Sequence, residues 1–251
     1  MKNTSIKTVI TSALALALIV SPFALAHAQL GVTTTASTNA SIGTIAKGKS
    51  DAEIDARISA LNDLETRVNQ MTKVSDSEKA DLISSINANL SDMTSLKTKI
   101  DTDTDKTVLK ADVQSITKSY RIFALILPQT QILAAADRAS ATVDILNSVQ
   151  TKLEAGITQA QSNGKDVSSL NSTNTDMTAK LSDASIKEQA AVTLVTPLQP
   201  DQGNATVAAS NKAALETART DIKTSISDLV TALQDAKTIQ SSLVSLGVTV
   251  Q

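Results

Sequence analysis

From Ser50 to the end of the chain, aliphatic residues return at steps of three and four almost without interruption, and nowhere do they alternate with polar residues between turns. The first period places one stripe along an α-helix; the second, the strand signature, is missing. Such a chain has one class of fold open to it, an all-α bundle. The first stripe is Ile54, Ile58, Leu61, Leu64, Val68 and Met71, with Glu53/Arg57 and Asp63/Arg67 as i,i+4 pairs off it on the solvated face. Ser50 and Glu53 have the spacing of a capping box, which predicts a helix starting at Ser50. Ser75 and Glu78 repeat that spacing before a second stripe of Ile83, Ile86, Leu90, Met93 and Ile100. The joint between the two is short enough to make them antiparallel neighbours.

A third helix is predicted over roughly Thr107 to Ser162, with Val108, Val113, Ile116 and Tyr120 on its first half. Its second half uses Ile132, Leu133, Ala136, Val143, Leu146, Val149 and Leu153. Pro128 lies inside it and predicts a kink or short break, because proline removes one ladder hydrogen bond and crowds the preceding turn. Asn163-Gly164 is a stop, with glycine available for the left-handed cap. A fourth helix follows from about Asp166 to Val195, then a loop marked by Pro197, Pro200 and Gly203. A last helix begins between Ala205 and Asn211 and ends at Gly247. Helices this long suit an elongated antiparallel bundle with coiled-coil-like packing. Two layouts fit: two three-helix lobes, roughly 50–127 and 128–247, sharing the long kinked helix as in spectrin-like arrays, or one bundle in which that helix folds back at Pro128.

Ahead of the helices, Lys2 and Lys7, the apolar run Val9 to Val20 and Ala26-His27-Ala28 form the pattern of a secretory signal peptide over residues 1–28. Residues 29–49, rich in Thr, Ser, Ala and Gly, read as a disordered tether. The expected location is secreted, periplasmic or cell-surface, with no membrane span after cleavage. The chain has no Cys and no Trp, and its one His, His27, falls in the leader. The remainder therefore lacks the side chains most used for nucleophilic catalysis, proton shuttling and transition-metal ligation. No phosphate loop, nucleophile elbow or metal-ligand spacing appears. With a formal net charge of −2, made more acidic by loss of the two leader lysines, nothing favours nucleic acid or an anionic lipid surface.

Three segments are candidate sites. Within the segment Tyr120 to Pro128, Ile122 to Leu127 is apolar on every face, which points to an enclosed crossing of helices, or to an apolar ligand or partner site with Tyr120 and Phe123 as contacts. Asp101, Asp103 and Asp105 alternate like the start of a calcium loop. Lys106 stands where glycine is needed and Asp112 where the loop wants Glu, so capping of the following helix explains the same residues. Asp137, Arg138 and Asp144 put charge on an apolar half-helix; they could form a buried recognition pair, but the solvated side, or a lobe edge facing a neighbouring helix, is the expected place. The run from Asp112 through Tyr120-Arg121-Ile122-Phe123 and Leu127-Pro128 to Ala134-Ala135-Ala136-Asp137-Arg138 resembles a segment of uncharacterised exported helical proteins of bacteria. That resemblance implies an extracytoplasmic helical protein and brings no activity, cofactor or site residue with it. The expected function is a non-enzymatic structural or protein-interaction role at the cell envelope, with a protein partner or self-association. The alternative is a carrier or sensor of an apolar ligand near residues 122–127.

Overall fold

The computed structural model describes residues 39–201 and 204–249, with the side chains of 39–46, 106 and 117–123 outside that description; the leader lies outside it too. Among the described residues the chain is five α-helices: α1 Asn39–Gln70, α2 Asp76–Thr102, α3 Lys106–Ser162, α4 Ser168–Val195 and α5 Ala205–Ser245. No strand occurs among these residues. The protein is all-α, as the aliphatic period requires.

The helix ends show why the elements start and stop there. At α2 the capping box is complete: Ser75 Oγ accepts the Glu78 N–H at 3.2 Å, and Glu78 Oε2 accepts the Ser75 N–H at 3.1 Å. Asp105 caps α3 and Asn204 caps α5, each side chain accepting two free amides of the first turn. Gly164 and Gly247 take φ of +73° and +81°. There Lys165 N–H reaches Ala160 O at 3.1 Å and Val248 N–H reaches Leu243 O at 2.9 Å, the six-to-one bonds of a Schellman stop.

Two antiparallel hairpins rest on α3: α1 and α2 pack on each other and on it, and so do α4 and α5. Lys97 to Asp55 crosses the first hairpin, and Lys180 to Asp228 and Lys187 to Asp221 cross the second. One apolar core joins Leu146, Val149 and Leu153 of α3 to Leu170, Met177 and Leu181 of α4 and Leu229, Leu233 and Leu243 of α5. The other joins Ile54, Leu61 and Leu64 of α1 and Ile86 and Met93 of α2 to Ile116, Leu125, Ile132 and Leu133 of α3. Ala191 and Val195 of α4 and Leu215 and Ile222 of α5 belong to this second cluster as well. The two hairpins thus overlap along α3 instead of dividing at residue 127.

Four expectations need correction. The first helix begins at Asn39 rather than Ser50, so residues 39–49 are helical and not tether. Ser50 is buried inside α1. Lys47 explains the longer helix: its Nζ donates to Asp101 O and Asp103 O, 2.8 and 2.7 Å away, and so caps the C-terminal end of α2. Arg57 is buried while it pairs with Glu53. Val108 is exposed because Leu109 takes the inward position one residue on. α3 runs through Pro128 without a break. The carbonyl left without its amide belongs to Ala124, an exposed residue where water can serve it, and Leu125, Ile126, Ile132 and Leu133 hold the helix on both sides.

Candidate functional site

Where the two hairpins approach each other over α3 they leave a cleft of about 660 Å3. Its floor is Leu125, Ile126, Gln129, Leu133 and Ala136 of α3. One wall is the α1–α2 turn with the face of α2 that carries Asp81, Ser85, Ala88 and Asp92. The other is the C-terminal part of α4, with Glu188 and Val192, and the loop from Thr196 to Pro200. Aliphatic and polar side chains both line it, the mixture expected of a ligand cleft.

Each wall is held to the floor by a polar contact. Asp137, only 7% exposed, turns one carboxylate oxygen to the α1–α2 turn. That Oδ1 accepts the Thr72 N–H at 2.6 Å, the Lys73 N–H, and the Val74 N–H at 3.3 Å. Three successive amides around one anion make a backbone nest. Lys73 Nζ then pairs with Asp144, about two helical turns further along α3 and solvated on one side. On the other wall, Gln129 Nε2 donates to Val195 O at 2.8 Å, which satisfies a free carbonyl at the end of α4. Asn211 Nδ2 donates to Gln199 O at 2.8 Å and fixes the loop beyond it.

Glu188 is the electrostatically exceptional residue. It is 8% exposed, and burial holds its carboxyl above the ordinary value. Ser140 hydrogen-bonds it and lowers it somewhat, Asp137 and Asp144 push it further up, and Lys73 opposes them. Five carboxylates line the cleft (Glu78, Asp81, Asp92, Asp137 and Glu188) against one ammonium, Lys73. Much of this charge is committed: Asp137 to the nest, Glu78 to the capping box and Lys73 to Asp144.

The residues singled out in the sequence fall as follows. Leu125 and Ile126 are buried and floor the cleft, while Ala124 is exposed and Leu127 half-buried. The side chains of Tyr120 and Phe123 lie outside the described set. Asp101, Asp103 and Asp105 do not converge. Asp105 caps α3, its carboxyl lowered by the Val108 and Thr107 amides; Asp103 hydrogen-bonds Asp112 and is raised, mainly by desolvation. No group of three or more His, Cys, Asp or Glu is placed to hold a metal ion among the described residues. Of the charged trio on α3, Asp137 is buried, contrary to its expected place on the solvated side, because its partner is the turn backbone. Arg138 and Asp144 are exposed, Asp144 pairing across the edge with Lys73.

Glu188 is not among the residues that the sequence motifs single out. The signal for it is its register: Leu181, Ala184, Glu188, Ala191 and Val195 follow one another at steps of three and four, with a carboxylate in the middle of the buried stripe. No helix among the described residues is long and apolar enough to cross a membrane. Comparison with protein-family models, curated proteins and solved structures finds no match.

Proposed function

We propose that this chain is an exported, non-enzymatic helical protein of the cell envelope or surface that carries or senses a small ligand held in the cleft over α3. The observation behind this reading is the cleft itself: about 660 Å3, floored by Leu125, Ile126 and Leu133, and lined by residues of both hairpins. That volume suits a small molecule and is narrow for a folded partner. The leader pattern of residues 1–28 and the resemblance of the middle segment support export. The residue types of the chain support a binding role over catalysis, since the cleft offers carboxylates, amides and hydroxyls and no thiol or imidazole.

A structural or protein-interaction role is the second reading. Ile186, Val230 and Val244, all more than half exposed on the α4–α5 hairpin, favour contact with another protein or a second copy of the chain. Nile red, an uncharged dye that brightens in apolar sites, separates the two. It should bind the protein saturably, and Val192→Glu, which puts charge on the cleft wall, should weaken that binding about tenfold with unchanged helicity. Equal dye binding by both proteins would move the site away from the cleft.

A further inference from the structure

We infer that the cleft selects a small amphiphilic cation, an aliphatic body with one positive head, over neutral or anionic molecules of the same size. This rests on the cleft being a ligand site, and deepens it by naming the ligand's chemistry. The floor of Leu125, Ile126 and Leu133 accommodates the aliphatic part. The charge above it is lopsided. Glu188 on one wall and Asp81 on the other face the same space, and neither has an ion-pair partner among the described residues. Lys73, the one ammonium of the lining, is already spent on Asp144.

Glu188 is the decisive group. A carboxylate that is nine-tenths buried normally finds a cation or gives up its charge. Here it has a Ser140 hydroxyl and only an indirect cation, Lys73, which is paired with Asp144, while Asp137 and Asp144 of α3 push its carboxyl up. A positive head entering the cleft would supply a direct ion-pair partner, and in a partly dry site that attraction exceeds its value in water. An anion would meet the same field with the opposite sign. A neutral ligand would gain the floor alone.

The chain has no Trp, so Ala88→Trp, at an exposed position on the α2 wall, supplies a single fluorophore that reports occupancy. Decyltrimethylammonium, decyl glucoside and decanoate share one tail length and are titrated below their micelle concentrations. The ammonium compound should bind about tenfold tighter than the glucoside, with decanoate weakest, and the gap should shrink as salt rises. Adding Glu188→Gln, or Asp81→Asn at the exposed wall, should narrow the gap, because the ammonium compound loses several-fold more affinity than the glucoside does. Equal binding of ammonium and glucoside, or a gap indifferent to both substitutions, overturns the cation preference and leaves the ligand cleft standing. If none of the three binds, the cleft is no ligand site and both readings fall.

Discussion

Asp137 is the place to test how the cleft is built. Its single oxygen takes three amides of the α1–α2 turn, and no other residue of α3 makes a described side-chain hydrogen bond to the backbone of that turn. A hydrogen bond to a charged acceptor contributes roughly 1.5–3 kcal/mol net in a protein. The three cannot each count in full, because they share one oxygen and Thr72 and Lys73 are exposed enough for water to serve their amides once the carboxylate is gone. Asp137→Ala should therefore cost about 2–4 kcal/mol, and Asp137→Asn, which keeps an acceptor without its charge, about 1–2 kcal/mol.

Urea unfolding followed by far-UV circular dichroism gives the global figure, and amide hydrogen exchange gives the location. Protection should fall at Thr72, Lys73 and Val74 and along the start of α2, while the amides of α4 and α5 around Met177 and Leu229 keep theirs. Removing the charge at Asp137 also removes one of the groups that raise Glu188, so that carboxyl should titrate lower in Asp137→Asn. A loss below about 0.5 kcal/mol for Asp137→Ala, the size of an ordinary surface change, would refute the nest as the fastening of this wall.

Two further outcomes follow from the geometry. Glu188 is raised above its ordinary value near 4.5, with Asp137 and Asp144 of α3 and Lys73 of the turn facing it; its neutral form is the one the fold favours. Its contribution is thus complete below that ordinary value and is lost as pH climbs through the raised one. Melting temperatures taken stepwise from pH 4 upward should show Glu188→Gln gaining on the parent protein across that window, and parallel curves would exclude the burial of an ionised Glu188. Gly164 sits at φ +73° with open space where a Cβ would go, so Gly164→Ala meets backbone strain and no collision; it should cost about 1 kcal/mol in chemical unfolding.

How much of this was written in the sequence depends on how local each cause is. Helix ends are local: Ser75 with Glu78, Asp105 and Gly164 act on amides and carbonyls a few residues away, and each stands where the spacing put it. The aliphatic stripes are local too, which is why Leu61, Leu146, Met177 and Leu233 are buried as their period requires. The start of α1 was illegible because its support is distant. Lys47 reaches carbonyls more than fifty residues on, and nothing in the Thr- and Ser-rich stretch before Ser50 announces them. Asp137 misled for the same reason. A charged residue beside an apolar stripe reads as solvated, and only the tertiary fold brings a turn some sixty-five residues earlier in the chain onto it.

The cleft follows from the length of α3. Fifty-seven residues make a rod of about 85 Å, longer than either hairpin, so two hairpins can share it only by overlapping near its middle. The overlap falls on Leu125 to Asp137, where α2 comes in from one side and the end of α4 from the other. Asp81 and Glu188 stand on opposite walls of the cleft, and their like charge opposes a closer approach of the hairpins. The same charge bears on what can come between them. A substitution that relieves it should therefore act twice, closing the cleft while weakening its hold on a cation; small-angle scattering of Asp81→Asn combined with Glu188→Gln should show a more compact protein than the parent. An unchanged radius of gyration would mean that packing of Leu133, Ala136 and Val192, and not charge, sets the width.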